Sequence, residues 1–129
     1  RFNTRDHISN KVQIITLDNF FKKRDLSIYE KIIIKLDLEG YEFNAILGLA
    51  NTLKKFNFII FFEFSRMLVK NPIFSAKKFN NFLSDNNFKI TDFNNKIYSI
   101  EELIINLNQK NLRLDVLGEY LLINKNQFI

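Results

Sequence analysis

From Lys31 to Leu38 the chain reads KIIIKLDL, and its unbroken Ile32-Ile33-Ile34 start suits a strand buried on both faces of a parallel sheet. The run ends at Glu39-Gly40. Beyond the glycine, Phe43, Ile46, Leu47, Ala50 and Leu53 recur at three- and four-residue intervals, which predicts one helix over 42–55. Residues 58–64 (FIIFFEF) form a second continuous apolar strand, interrupted only by Glu63. Ser75 is placed to cap a helix whose inner face is Phe79, Phe82 and Leu83, and Asn86-Asn87 ends it. A short strand follows at 88–93. Ser99 with Glu102 three residues later makes a capping-box pattern ahead of Leu103, Ile104 and Leu107. The last strand is 119–124, entered through Gly118. Upstream, residues 12–17 (VQIITL) read as a short strand, Asp18 as the cap of a brief helix holding Phe20 and Phe21, and the first ten residues as patternless.

Strands alternating with helices predict an α/β fold in which helices pack on a mainly parallel sheet. The strand at 31–38 is as apolar as a central strand, yet few segments are available to pair with its other edge. An open edge of that kind exposes backbone donors and acceptors and invites pairing with another chain. The expectation is therefore that further strands lie upstream of Arg1, that residues 1–129 are the C-terminal part of a single domain, and that the isolated chain can form a homo-oligomer through the open edge.

Composition narrows the function classes. With no cysteine, the chain has no disulfide framework, no thiolate metal ligand and no cysteine nucleophile, and a reducing cytoplasm is the expected location. The longest apolar runs are far short of the roughly 20 residues that a membrane-spanning helix needs. The net charge of +5 and pI near 9.5 raise the question of a nucleic-acid partner. The basic residues are scattered in short clusters, Lys22-Lys23-Arg24, Lys54-Lys55 and Lys77-Lys78, and they read as solvated faces unless the fold makes them converge. Neither a nucleic-acid nor a membrane partner is expected, nor a metal. His7, the only histidine, reads as a surface residue.

Chemistry gathers at the strand ends. Lys35-Leu36-Asp37-Leu38-Glu39-Gly40-Tyr41-Glu42, followed by Ala45, Leu47 and Gly48, resembles the signature of the FkbM-type S-adenosylmethionine-dependent methyltransferases. Thr16-Leu17-Asp18-Asn19-Phe20 ahead of it and Phe61-Phe62-Glu63 behind it resemble that family's flanking landmarks, so the likeness covers roughly residues 12–65. The resemblance implies a Rossmann-like class I methyltransferase fold, present here in its C-terminal part. It also implies S-adenosylmethionine as cofactor and methyl transfer to an oxygen, with a sugar or glycan-type hydroxyl as acceptor.

Ligands of open α/β sheets bind beyond the carboxyl ends of the strands, where Asp37, Glu39 and Glu63 fall. Attack of an alcohol on a sulfonium methyl needs a group to take the proton, and Asp37 is the first candidate for that base, with Glu63 second. Glu39 is placed to orient the acceptor. Lys35 and Glu42 join the substrate side as residues that support the loop. The competing assignment for each carboxylate is a helix cap, worth about 1 kcal/mol. Gly40 is expected to allow the tight strand-to-helix turn and Gly48 close packing of helix on sheet. The family's glycine-rich turn and acidic second strand end, which hold the cofactor, have no counterpart among these residues. The chain alone is expected to be inactive and to bind S-adenosylmethionine poorly. The alternative function is a non-catalytic α/β interaction module, or an inactive fragment of such an enzyme, and a glycine-rich strand in the parent gene distinguishes the two.

Overall fold

The computed structural model describes residues 10–109 and 115–126, so His7 and most of the patternless start lie outside the described part. In chain order the elements are α1 (Leu17–Phe21), β1 (Ile32–Leu36), α2 (Glu42–Leu47), α3 (Ala50–Leu53), β2 (Phe58–Ser65), α4 (Arg66–Lys70), α5 (Ala76–Asp85), β3 (Phe88–Thr91), β4 (Ile97–Tyr98), α6 (Ile100–Gln109) and β5 (Val116–Asn124). None of the described helices is long and apolar enough to cross a membrane.

The five strands make one sheet in the order β1-β2-β5-β3-β4. Only β1 and β2 pair in parallel; β2 with β5, β5 with β3, and β3 with β4 are antiparallel. The expected mainly parallel sheet is therefore corrected to a mixed sheet with more antiparallel than parallel pairs. The cause is the route of the chain. β1, β2 and β3 run the same way, but the chain enters β5 beside the carboxyl end of β2, where Val116 pairs with Ser65, so β5 can only run back down. Arg66, the first residue after β2, fixes that entry: its backbone N–H and its Nε donate to Asp115 O (2.9 Å) and Oδ1 (2.8 Å), and its Nη2 to Leu107 O of α6 (3.1 Å).

All six helices contribute to one core on one face of the sheet. Phe43 and Ile46 of α2, Phe58, Ile60, Phe62 and Phe64 of β2, Phe79 of α5 and Leu122 of β5 are buried there. The phenylalanine excess is spent inside, with the rings of Phe43 and Phe79 stacked at 4.8 Å. The opposite face has a smaller apolar cluster of Ile59, Leu121 and Ile123 with Phe61 against it. β1 is at the edge with β2 as its sole partner among the described residues, and its burial alternates. Ile33 is 62% exposed, so the strand read as buried on both faces is covered on one.

Three local expectations change. Residues 12–16 form no strand: no described strand lies beside them to satisfy their backbone, and Ile14 is 91% exposed. Thr16, not Asp18, caps α1 by accepting from Asn19 N at 3.2 Å. The predicted helix over 42–55 is two helices, because Asp18 intervenes. Its N–H donates to Gly48 O (2.7 Å), while its carboxylate takes the N–H groups of Asn51 (3.2 Å) and Thr52 (2.9 Å) and so caps α3 across the fold. Gly48, at φ −70°, lies at that break and beside Thr16, not against the sheet. Sequence reading also passes over α4, capped by Ser65 Oγ accepting from Leu68 N (3.2 Å), and β4, set by Asp92 Oδ1 accepting from Asn94 N (2.8 Å) and Lys96 N (3.0 Å). The caps at Ser75 and Ser99 form as expected.

Candidate active site at the strand ends

The turn that follows β1 is built by two residues of left-handed conformation, Glu39 at φ 52° and Gly40 at φ 98°. A Cβ at position 40 would lie 2.8 Å from the Met67 carbonyl carbon, so this backbone can approach α4 only as glycine. Glu42 ties the turn from within. Fully buried, it accepts Leu38 N on Oε1 (2.8 Å) and Gly40 N on Oε2 (3.0 Å), which occupies both of its oxygens with its own loop. Asn71 Nδ2 donates to Gly40 O (2.9 Å) and fastens the turn to the segment after α4. With Glu42 holding these amides and Tyr41 as an N-cap without a side-chain bond, the capping assignment for Asp37 is vacant.

Asp37 accepts no hydrogen bond among the described residues. Its side chain is 57% exposed, and its carboxylate lies 3.8 Å from Lys35 Nζ. Lys35 points to the face opposite the helices and reaches across β2 to Glu119 Oε1 on β5, at 3.1 Å. Its ammonium is held above its ordinary pKa by the hydrogen bond and charge of Glu119 and then by the charge of Asp37. Beneath that bridge Glu63 and Glu119 stand directly opposite each other in the β2–β5 register. Glu63 is half-buried, and its carboxyl is pushed above the ordinary carboxylate range first by burial and then by the charges of Asp37, Glu42, Glu39 and Glu119. Glu39, exposed, projects from a conformation that costs a non-glycine residue free energy, a feature that accumulates at ligand-handling turns.

The fold thus brings Lys35, Asp37, Glu39 and Glu63 to one end of the sheet and uses Glu42 inside the turn. One member was not foreseen. Glu119 reads in sequence only as the first residue of a strand, and nothing but the β2–β5 register reveals that it faces Glu63. Chemically, a half-buried carboxyl of raised pKa beside an exposed, cation-paired carboxylate can accept and hold a proton from a hydroxyl group placed at the strand ends.

A family model described as the methyltransferase FkbM domain matches residues 2–90. That stretch takes in Lys35, Asp37, Glu39, Glu42 and Glu63 and stops short of Glu119. No curated protein and no solved structure matches the chain.

Proposed function

Since the chain belongs to the FkbM methyltransferase domain family, we propose that it forms the acceptor side of an S-adenosylmethionine-dependent methyltransferase that methylates the hydroxyl of a sugar or glycan. The single observation that carries this reading is Asp37: a carboxylate at the end of β1 that caps nothing, beside a second carboxyl, Glu63, of raised pKa. Asp37 is the first candidate to take the acceptor's proton, and Glu63 the second. Lys35 holds Asp37 and Glu119 in place through its two ion pairs, and Glu39 orients the acceptor from its strained turn. β1, β2 and β3 run the same way with helices between them, which supports reading the sheet as part of a Rossmann-like class I fold.

The described residues do not make a cradle for the cofactor itself. Of the three glycines, Gly40 is packed on Met67, Gly48 parts α2 from α3 and Gly118 lies within β5, so none opens a phosphate- or ribose-binding turn next to β1. We therefore assign cofactor binding to a glycine-rich strand paired with the edge of β1 that no described strand covers. Its chemistry there would be to present an electrophilic methyl group; the part of these residues is to bind the acceptor and remove its proton.

The test is transfer of labelled methyl from S-adenosylmethionine to a panel of sugars and glycans by the complete gene product. Asp37→Asn should lower turnover about 10²- to 10⁴-fold, the usual worth of a general base, while the melting temperature hardly moves. Full turnover in that variant together with a lowered melting temperature would make Asp37 a structural residue and refute the assignment.

A further inference from the structure

Two of the three basic clusters, which sequence alone reads as solvated faces, meet in space. Lys22 and Arg24, just after α1, and Lys55, just after α3, line one concavity of about 430 Å³, within the size range of small-molecule sites. It lies at the amino end of β2, because Phe56 in its wall precedes that strand by two residues, whereas Glu63 and Asp37 are at the carboxyl ends. The two sites are separate.

The charge of this concavity is cationic in effect as well as in count. Asp18 is its only acidic residue, and that carboxylate is already engaged by four donors from Asn51 and Thr52. Lys22 and Lys55 have no ion-pair partner among the described residues. Arg24 is held in place: its guanidinium lies 3.7 Å above the Phe20 ring, and one of its N–H groups donates to Phe20 O. A guanidinium fixed in this way keeps its remaining donors free and loses little entropy on binding an oxyanion. Phe21 and Phe56 add an apolar wall.

We propose that this groove binds a phosphorylated small molecule of about nucleotide size, its phosphate monoester dianion held by Arg24, Lys22 and Lys55 and its organic part lying against Phe21 and Phe56. A monoester dianion matches three convergent cations, of which the arginine offers the paired N–H geometry that phosphate oxygens accept. The arrangement favours a small ligand over a duplex. Three cations line one hollow of small-molecule size, and the remaining basic cluster, Lys77-Lys78 on α5, does not line it.

The experiment is a titration of the ¹⁵N-labelled chain, followed by amide shifts, with uridine 5′-monophosphate, uridine and sodium sulfate at constant ionic strength. The nucleotide should saturate with a dissociation constant below about 1 mM and shift the amides around Lys22, Arg24 and Lys55, while uridine binds at least about tenfold more weakly. Arg24→Ala and Lys55→Ala, both at exposed side chains, should each weaken the nucleotide about tenfold, and Lys77→Ala should leave it unchanged. Four results would overturn the proposal: no saturable shift with the nucleotide, equal shifts with sulfate, undiminished binding by Lys55→Ala, or tighter binding of a short DNA duplex than of the nucleotide.

Discussion

Removal of the Asp18 carboxylate tests the account of how the α2–α3 segment is held. Its oxygens accept Asn51 N (3.2 Å), Asn51 Nδ2 (3.0 Å), Thr52 N (2.9 Å) and Thr52 Oγ1 (2.6 Å), joining residues more than thirty positions apart. Loss of a helix cap costs about 0.5–2 kcal/mol. Asp18→Ala also leaves the buried Thr52 hydroxyl without its acceptor, a further cost of about 1–3 kcal/mol. The Asn51 side of the cluster is exposed and adds little, so a loss of about 2–3 kcal/mol is expected at pH 7. Asp18→Asn keeps one acceptor oxygen and should lose about half as much. The pH dependence has a definite sign. Burial pushes the Asp18 carboxyl up, but the Thr52 and Asn51 hydrogen bonds outweigh it and leave the carboxyl below its ordinary value. Its stabilisation is therefore complete above the unfolded value, about pH 4, and is lost as pH falls through the lower folded value. Urea unfolding at pH 7 and at lower pH should show the gap between the two proteins closing on acidification, and hydrogen exchange should quicken first at Asn51 and Thr52. A loss below about 0.5 kcal/mol, or unchanged exchange at those two amides, would refute the role assigned to Asp18.

Gly40→Ala should cost about 2 kcal/mol or more, because its Cβ would meet the Met67 backbone at 2.8 Å in a left-handed conformation, while Gly48→Ala, with contacts of 3.4–3.5 Å and an ordinary φ, should change stability by less than about 1 kcal/mol; equal losses in thermal unfolding would refute the distinction. Glu63→Gln should stabilise the protein at pH 7 by about 0.5 kcal/mol, since it removes a charge that burial disfavours and that the neighbouring carboxylates, Glu119 opposite it among them, repel. Glu63 binds its proton more tightly folded than unfolded, so its stability contribution is complete below the unfolded value and declines as pH rises through the raised folded one. The gain from Gln should accordingly vanish near pH 4, and a destabilised variant at pH 7 would show that Lys35 already compensates the pair.

Periodicity located β2, α5 and α6 because the apolar spacing that marks each of them lies within its own residues. It failed where a distant residue decides. The pattern over 42–55 is continuous, and only Asp18, brought in by the fold, breaks it at Gly48. VQIITL has strand propensity and no described partner, and a strand is made by its partner's donors and acceptors as much as by its own residues. The direction of β5 is of the same kind. EYLLIN predicts a strand either way up, and what reverses it is the anchoring of Asp115, the residue just before β5, by Arg66 at the end of β2.

The candidate site divides along the same line. Asp37, Glu39 and Glu63 could be placed at strand ends from sequence because strand, turn and helix follow one another directly there. Their separate chemistries could not. What sets Asp37 apart from an ordinary cap is that Glu42, five residues on, has taken the amides of the turn, leaving Asp37 to the Lys35 ammonium. What raises Glu63 is burial followed by charges from the turn after β1, from α2 and from β5, and Glu119, its register partner, arrives more than fifty residues later in the chain. A row of acidic letters therefore becomes a site with distinct roles only through the sheet: Lys35 on β1 spans β2 to meet Glu119 on β5, and the one cation is shared by carboxylates that would otherwise repel. Lys35→Ala removes that shared cation, and the Glu63 carboxyl, already above its ordinary range, should rise further, because it loses a positive neighbour and keeps the negative ones. The Glu63 carboxyl chemical shift followed through an acid titration reads this directly, and an unmoved midpoint in the variant would show that the Lys35 charge does not reach Glu63.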